Sequence, residues 1–140
     1  MSYQTQVKVR FGHCDPAGIV YFPRYYEMLN GVVEDWFAER IGFDFRALHG
    51  ELQSGVPTAH IETDFKAPSR LGDWLTFELK ALSLGRASLA LSIGVHCGDE
   101  LRLHYQSTLV CVDMRTGKAM RWPDALAQRL TQELEQGTPS

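Results

Sequence analysis

The chain has 140 residues, which is enough for one domain whose core needs no disulfide framework, and its three cysteines lack CxxC spacing. We therefore expect reduced thiols in a cytosolic protein. A formal net charge of −3 without a basic cluster argues against a nucleic-acid partner, and no apolar run is long enough for a membrane span or a secretion signal. We expect a single domain over residues 1–136 and a disordered tail over residues 137–140.

The first two elements are predicted by a change in the period of the apolar residues. Residues 5–11 alternate with period two, which is typical of a short strand with Val7, Val9 and Phe11 on one face. A helix of about five turns follows, for which Pro23 suits the first turn and Gly42 the C-terminal cap. Its apolar stripe consists of Tyr25, Leu29, Val32, Val33, Trp36, Phe37 and Ile41.

The second half of the chain is predicted to be mostly strand. Alternating patterns cover residues 59–66, 74–82, 86–96 and 101–113, after a short helix at residues 45–49 and before a helix at residues 125–135. Glycine-containing turns between the strands predict an antiparallel meander. We therefore expect an α+β domain in which an antiparallel sheet of about five strands covers the long helix. The length of the last two strands predicts an exposed sheet edge that pairs with a second copy of the chain.

Asp15 lies in a Pro/Gly turn directly before the long helix, and two roles fit this position. An Asp-Pro-Ala-Gly turn is commonly structural, because the aspartate accepts hydrogen bonds from backbone N–H groups two or three residues later. Segment 19–22 is, however, too hydrophobic for a solvated loop and predicts a pocket wall. A carboxylate beside a helix start suits attack on an acyl carbon, because the free N–H groups there stabilise a carbonyl oxygen that gains negative charge.

Residues 12–25, Gly-His-Cys-Asp-Pro-Ala-Gly-Ile-Val-Tyr-Phe-Pro-Arg-Tyr, closely resemble the signature of the 4-hydroxybenzoyl-CoA thioesterase family. The order of strands and helices over nearly the whole chain is similar to the hot-dog fold of that family. The resemblance implies hydrolysis of an acyl-CoA thioester, with Asp15 as the nucleophile or as the general base for water. It also implies that the backbone N–H of Phe22 donates a hydrogen bond to the thioester carbonyl oxygen.

The resemblance further implies what the enzyme binds and how it assembles. Coenzyme A is part of the substrate, and no metal or redox cofactor is expected. A homodimer completes the active site, and a homotetramer forms as a dimer of dimers. The acyl group is aromatic, of the benzoyl or 4-hydroxybenzoyl type, or a short chain of the kind that relatives accept.

Six residues are candidates for contacts with the acyl group: Tyr21, Tyr25, Phe45, Pro57, Thr58 and His60. Most of them also have an ordinary structural explanation, because aromatic side chains form cores in this fold and Thr58 and His60 fit strand positions. Four residues are candidates for contacts with the CoA phosphates: Lys66, Arg70, Arg86 and Ser88. This set is less basic than in the family, and isolated exposed charges are usually solvated.

Other assignments stay open on the sequence alone. A second group of enzymes with this fold carries its catalytic carboxylate on the long helix, where Glu27 and Glu34 lie off the apolar stripe and also fit solvent-facing or interface positions. Cys14 would need His13 as its base, but neighbouring side chains of an extended segment point in opposite directions, which also argues against a metal cluster with Asp15. The competing functions are a dehydratase or hydratase acting on acyl-CoA or acyl-carrier-protein substrates and a non-catalytic acyl-CoA-binding protein.

Overall fold

The computed structural model describes residues 2–137. The helices are α1 (Phe22–Trp36), α2 (Phe45–Gly50) and α3 (Asp124–Gly137). The strands are β1 (Tyr3–Lys8), β2 (Ser54–Gly55), β3 (Thr58–Phe65), β4 (Trp74–Leu84), β5 (Ser88–Cys97), β6 (Glu100–Val110) and β7 (Val112–Asp113). A 3₁₀ turn, Phe11–His13, lies between β1 and α1, and a π-helical turn, Phe37–Ile41, continues α1.

Five strands form one antiparallel sheet in the order β1, β4, β5, β6, β3, and β2 and β7 form a separate pair. β4, β5 and β6 follow one another as the predicted meander. The predicted position of β3 was wrong, because β3 pairs with β6 on the far side of the meander. The long strands β5 and β6, which were expected to provide an exposed edge, lie inside the sheet, and its edges are β1 and β3.

α1 and the sheet share one hydrophobic core. The buried residues of α1 are Tyr25, Met28, Leu29, Val32, Val33 and Trp36, and alternate residues of β4, β5 and β6 are buried with them. Pro23 lies in the first turn of α1, and Gly42 ends the π-helical turn with φ of 85°, where its N–H donates to the carbonyl of Phe37 at 2.8 Å. An antiparallel five-stranded sheet around one long helix confirms the expected α+β hot-dog architecture.

α3 is fixed to the C-terminal end of α1 by a buried carboxylate. Glu133 is 8% exposed and accepts hydrogen bonds from Trp36 Nε1 at 3.1 Å and from Arg40 Nη1 at 3.2 Å. Arg40 also donates to the carbonyl of Ser2 at 3.1 Å. The fifteen residues of α1 separate this cluster from Asp15 by about 20 Å.

The start and the end of the chain differ from expectation in two places. Phe11 was predicted to share a buried face with Val9, which was wrong: β1 ends at Lys8, and the Phe11 side chain is 84% exposed. The cause is the 3₁₀ turn, in which the Arg10 N–H donates to His13 Nδ1 at 2.9 Å. α3 continues to Gly137, and residues 138–140 of the predicted tail lie outside the described residues. Within residues 2–137, no helix is long and apolar enough to cross a membrane.

Candidate active site

Asp15 lies at the tip of a narrow hairpin formed by residues 13–21. Its N–H donates to the carbonyl of Ile19 at 3.0 Å, and the Gly18 N–H donates to the carbonyl of Asp15 at 2.9 Å. Asp15 Oδ1 accepts the N–H of Ala17 at 2.9 Å, whereas Oδ2 has no hydrogen-bond partner among the described residues. The turn therefore uses one carboxylate oxygen and leaves the other for a ligand or water, so the structural role does not exclude the chemical one.

α1 begins directly after this hairpin. Tyr21 is the N-cap residue, and its N–H donates to the carbonyl of His13 at 2.9 Å. The N–H of Phe22, at the first helical position, has no hydrogen-bond partner in the described part of the chain, and Pro23 has no N–H. An unpaired N–H at a helix start carries part of the positive charge of the helix dipole. The group expected to stabilise an oxyanion is therefore free to do so.

An apolar pocket of about 330 Å³, which we call the Phe65 pocket, lies beside the hairpin. Its walls include Ile19, Val20, Phe22, Tyr25, Phe65 and Pro68. The rings of Phe22 and Phe65 stand edge to face at 6.1 Å and are 58% and 49% exposed, which is unusual for two adjacent aromatic side chains in a protein without a ligand or partner. Tyr25 is buried, and burial raises the pKa of its phenol. Tyr21 contacts Phe22 edge to face from outside these walls.

A second pocket of about 270 Å³, which we call the Thr58 pocket, lies at the start of β3. Its walls include Asn30, Glu34, Phe45, Pro57, Thr58 and Tyr105. Three residues predicted to contact the acyl group, Phe45, Pro57 and Thr58, therefore lie together. Phe45 also packs on Phe37 of the core at 5.7 Å, so its ordinary packing role applies as well. Of the two helix carboxylates, Glu34 faces this pocket, whereas Glu27 forms a surface ion pair with Arg24 at 2.7 Å.

The two pockets lie at opposite ends of β3. Thr58 pairs with Leu109 of β6 and Phe65 pairs with Leu103, and the residues between them span about 20 Å of strand. One chain alone therefore does not bring the Asp15 hairpin to the acyl-binding candidates at the Thr58 pocket.

The candidates for CoA binding are divided in the same way. Lys66 lines the Phe65 pocket, and Arg70 bridges to Ile19 of the Asp15 hairpin. Arg86 and Ser88 lie instead at the turn between β4 and β5, where Ser88 pairs with Val110, the residue whose N–H donates to the carbonyl of Pro57 at 3.0 Å. These two residues are therefore at the Thr58 end of the sheet, and the predicted set of four does not form one cluster within a chain.

The remaining sequence candidates do not line the Phe65 pocket or the Thr58 pocket. His60 is exposed, and its Nε2 is 3.3 Å from Glu62 Oε1. Cys14 has its sulfur 3.6 Å from the carbonyl of Arg10, and His13 accepts the Arg10 N–H, so these two residues do not form a nucleophile and base pair. Residues 2–137 contain no group of three or more His, Cys, Asp or Glu side chains that could hold a metal ion. The expected lack of a cofactor stays a prediction.

A polar cluster behind the Phe65 pocket was missed by the sequence analysis. The hydroxyl of Tyr25 donates to Ser69 Oγ at 2.8 Å, and Arg102 Nη1 donates to Ser69 Oγ at 3.2 Å and to Asp73 Oδ2 at 2.8 Å. The hydrogen bond from Arg102 and the backbone N–H of Arg70 hold the pKa of Asp73 below its usual value. Local patterns contain no signal for this cluster, because its members come from α1, β6 and the loop between β3 and β4.

Sequence relatives cover almost the whole chain. Residues 9–130 match the thioesterase-like superfamily. The chain is 30% identical over 135 residues to the long-chain acyl-CoA thioesterase FadM of Escherichia coli, which covers 95% of this chain and 97% of that protein. It is 29% identical over 125 residues to the 1,4-dihydroxy-2-naphthoyl-CoA hydrolase of Synechococcus elongatus, which covers 89% of this chain and 91% of the relative.

Solved structures agree in fold. Slr0204, a 1,4-dihydroxy-2-naphthoyl-CoA thioesterase from Synechocystis, superposes with a TM-score of 0.84 at 20% identity over 94% of this chain and 96% of that one. SAV2348 from Staphylococcus aureus, solved in complex with CoA, gives a TM-score of 0.91 at 15% identity and covers 100% of this chain and 87% of that one. The relatives are named for naphthoyl and long-chain acyl groups, so the match extends beyond the 4-hydroxybenzoyl-CoA enzymes that the motif resembles. The chain belongs to the thioesterase-like superfamily and is a thioester hydrolase with the hot-dog fold.

Proposed function

We propose that the chain hydrolyses an aromatic acyl-CoA to the free acid and CoA, with Asp15 and the Phe22 N–H at the reacting thioester. One observation carries the proposal: a single hairpin presents a carboxylate with a free oxygen, and a free helix-start N–H follows it beside an aromatic pocket. This pairing suits acyl transfer, because one group attacks or activates water while the other stabilises the oxygen that becomes negative.

The chemistry needs only these two groups and water. Asp15 Oδ2 either bonds to the thioester carbonyl carbon or removes a proton from the water that does so. The carbonyl oxygen then accepts a hydrogen bond from the Phe22 N–H, the C–S bond breaks, and CoA leaves as a thiolate that takes up a proton. Loss of one such donor typically lowers turnover by ~10²–10³. Attack by Asp15 itself would form a mixed anhydride with the acyl group. Water that opens this anhydride at the Asp15 carbonyl carbon would place solvent ¹⁸O in the Asp15 carboxylate during a single turnover and release the unlabelled acid.

An aromatic acyl group is supported by the walls of the two pockets. Phe22, Tyr25 and Phe65 line one pocket, and Phe45 and Tyr105 line the other. A benzoyl or 4-hydroxybenzoyl group matches the motif resemblance, and the naphthoyl relatives extend the class to larger hydroxylated rings. Asn30 and Glu34 are exposed in the single chain, and an acyl group bound in this pocket would cover them. They favour an acyl group that carries a hydroxyl, because a polar group that loses water without gaining a hydrogen-bond partner is costly.

A second copy of the chain would join the two pockets. β3 is an edge strand whose side chains are exposed on both faces, including Ile61 and Phe65. If β3 pairs antiparallel with its own copy along its whole length, Phe65 of one chain lies opposite Thr58 of the partner subunit. The Phe65 pocket of one chain then adjoins the Thr58 pocket of the other. The tetramer expected from the resemblance stays a prediction that analytical ultracentrifugation tests.

The same pairing would assemble the CoA site from both chains. Lys66 and Arg70 at the Phe65 end of one chain come near Arg86 and Ser88 at the Thr58 end of the partner subunit. Replacing Arg86 with alanine is expected to raise KM for an acyl-CoA and to leave KM for the matching acyl-pantetheine, which lacks the nucleotide phosphates, unchanged. An equal rise for both substrates would remove Arg86 from the phosphate site.

Release of free thiol from a panel of thioesters tests the reaction and the acyl group. The panel contains benzoyl-, 4-hydroxybenzoyl-, 1,4-dihydroxy-2-naphthoyl-, phenylacetyl-, short-chain and long-chain acyl-CoA, and the hydroxylated aryl substrates are expected to give the highest kcat/KM. Addition of water to an enoyl-CoA without thiol release would instead identify a hydratase. Binding of acyl-CoA with no turnover would identify a binding protein.

Three isosteric variants test which carboxylate acts. Asp15→Asn is expected to abolish most of the turnover while the protein still binds acyl-CoA. Glu27→Gln is the matched control at a surface ion pair and is expected to keep full activity. Glu34→Gln tests the alternative helix carboxylate: a loss larger than that of Asp15→Asn, on every substrate of the panel, would transfer the catalytic role to Glu34.

A further inference from the structure

The loop between β3 and β4, residues 66–73, supports the Asp15 hairpin through backbone hydrogen bonds. The Val20 N–H of the hairpin donates to the carbonyl of Ser69 at 2.9 Å, and the Leu71 N–H donates to the carbonyl of Gly18 at 3.3 Å. Ile19 and Arg70 form a bridge between these two hydrogen bonds. Residues 18–20 thus lie antiparallel to residues 69–71 like a short strand. The position of the hairpin therefore depends on the position of this loop.

One side chain lies at the centre of the loop. Arg102 Nη1 donates to the carbonyl of Pro68 at 3.1 Å, to Ser69 Oγ at 3.2 Å and to Asp73 Oδ2 at 2.8 Å. The carbonyl of Arg102 accepts the N–H groups of Lys66 at 2.9 Å and Ala67 at 3.2 Å. Arg102 therefore contacts the loop at both ends and in its middle. Its side chain is only 12% exposed, so water does not readily replace these contacts.

The same cluster reaches the wall of the Phe65 pocket. Ser69 is fully buried and accepts hydrogen bonds from both the Arg102 guanidinium and the Tyr25 hydroxyl. Tyr25 lies one turn into α1 from Phe22, and its ring contacts Phe65 at 6.1 Å. Arg102 is thus connected through one serine to the aromatic wall of the pocket and through the serine carbonyl to the catalytic hairpin.

We propose that Arg102 is a positioning residue for the reaction: it fixes loop 66–73, and through Ser69 it sets where the Asp15 turn and the Tyr25 ring lie relative to the thioester. The proposal rests on the proposed role of Asp15. Small displacements of a reacting group are costly, since about 1 Å of misplacement lowers a rate by up to about 100-fold. Loss of Arg102 should therefore slow the chemical step, and it should also weaken binding of the CoA phosphates, because the same loop carries Lys66 and Arg70.

Two variants of Arg102 and one matched control test this role. Arg102→Met keeps the aliphatic volume and removes the donors, and it is expected to lower kcat between about 10-fold and 100-fold, with KM for the acyl-pantetheine substrate, which lacks the nucleotide phosphates, little changed. Nη1 serves its three acceptors with two N–H groups, and Arg102→Lys supplies three N–H groups on one nitrogen, so it is expected to restore most of kcat. Arg40→Met removes an arginine that pairs with the buried carboxylate of Glu133, at the far end of α1, and is expected to lower the unfolding temperature without lowering kcat.

Amide hydrogen exchange measures the positioning without an activity assay. Exchange of the Val20 and Leu71 amides is expected to accelerate in Arg102→Met and to stay unchanged in Arg40→Met. The proposal is overturned if Arg102→Met is folded and keeps wild-type kcat, if Arg40→Met loses the same factor, or if Arg102→Lys is no better than Arg102→Met. If Arg102→Met does not fold, Ser69→Ala takes its place in the same comparison of kcat and amide exchange with Arg40→Met. Ser69→Ala keeps the ion pair between Arg102 and Asp73 and removes the hydrogen bonds that join Arg102 and Tyr25 through the Ser69 hydroxyl. A wild-type protein without thioesterase activity would refute the function of Asp15, whereas the exchange rates would still decide whether Arg102 orders the hairpin.

Discussion

Mixing two inactive variants tests whether the active site is shared between two chains. Asp15→Asn removes the carboxylate beside the Phe65 pocket, and Thr58→Trp fills the 270 Å³ Thr58 pocket. The Phe65 and Thr58 pockets are separated by the length of β3, about 20 Å, so one chain does not bring both pockets to one acyl group. In a mixed dimer, one site combines Asp15 of the Thr58→Trp chain with Thr58 of the Asp15→Asn chain and is therefore intact.

The expected recovery follows from counting sites. Random assembly makes half of the dimers mixed, and each mixed dimer has one intact site of two, so the mixture should regain about a quarter of wild-type activity per chain. The assay is thiol release after co-expression of the two chains, with each variant alone as the baseline. The matched control combines Asp15→Asn with Ile19→Trp, which blocks the Phe65 pocket on the same chain as Asp15. That pair should show no recovery.

Two results would contradict the shared site. If Asp15→Asn and Thr58→Trp give only the sum of their separate activities although mixed dimers form, each chain contains a complete site. If the control pair recovers as well as the test pair, the recovery reflects stabilisation of one chain by the other and not complementation.

Three further predictions concern the hairpin, the polar cluster and the core. Gly18 has φ of 79° and open space where a Cβ would lie, so Gly18→Ala should lower the free energy of unfolding by about 1–2 kcal/mol from backbone strain alone, and should lower kcat. Gly18→Asn should have a smaller effect on both quantities, measured by denaturant unfolding and by thiol release. Equal effects of the two variants would contradict this. Arg102 and the backbone N–H of Arg70 hold the pKa of Asp73 in the folded protein below its usual value of 3.8. Ionised Asp73 therefore stabilises the folded state above pH 3.8, and this stabilisation is lost as the pH falls through the lower pKa of the folded protein. The difference in unfolding temperature between wild type and Asp73→Asn should therefore shrink in strong acid, and a constant difference would refute it. Leu91 in β5 is fully buried, and Leu91→Ala should lower the free energy of unfolding by about 2–5 kcal/mol in urea titrations; a loss below about 1 kcal/mol would show a poorly packed core.

Features that depend on neighbouring residues were predictable from the sequence. The helix from Phe22, its proline and its glycine cap follow from apolar spacing and local backbone preferences, and the structure agrees. The Asp15 turn was predictable for the same reason, since its hydrogen bonds join residues at most four apart. The extension of β1 to Phe11 failed because the His13 ring accepts a backbone N–H and turns the chain, which alternation does not encode.

Features that depend on distant segments were not predictable. The alternation in β3 is equally compatible with pairing to β4 or to β6, and in the structure β3 pairs with β6. Arg102 follows a β-turn on an exposed-looking strand end, and its role depends on a serine 33 residues away. The division of the acyl and CoA candidates between the two ends of β3 has the same origin, because the sequence places these residues in order but not in space.

The exposed edge strand β3 has a consequence for how much enzyme a cell must make. If both halves of each site come from different chains, a lone chain has no turnover, and activity at low expression rises with the square of the protein concentration until dimers saturate. Specific activity should then fall on dilution and recover on concentration. A cell that lowers production of this protein would therefore lose hydrolysis more steeply than it loses protein, which makes a graded change in expression act like a threshold.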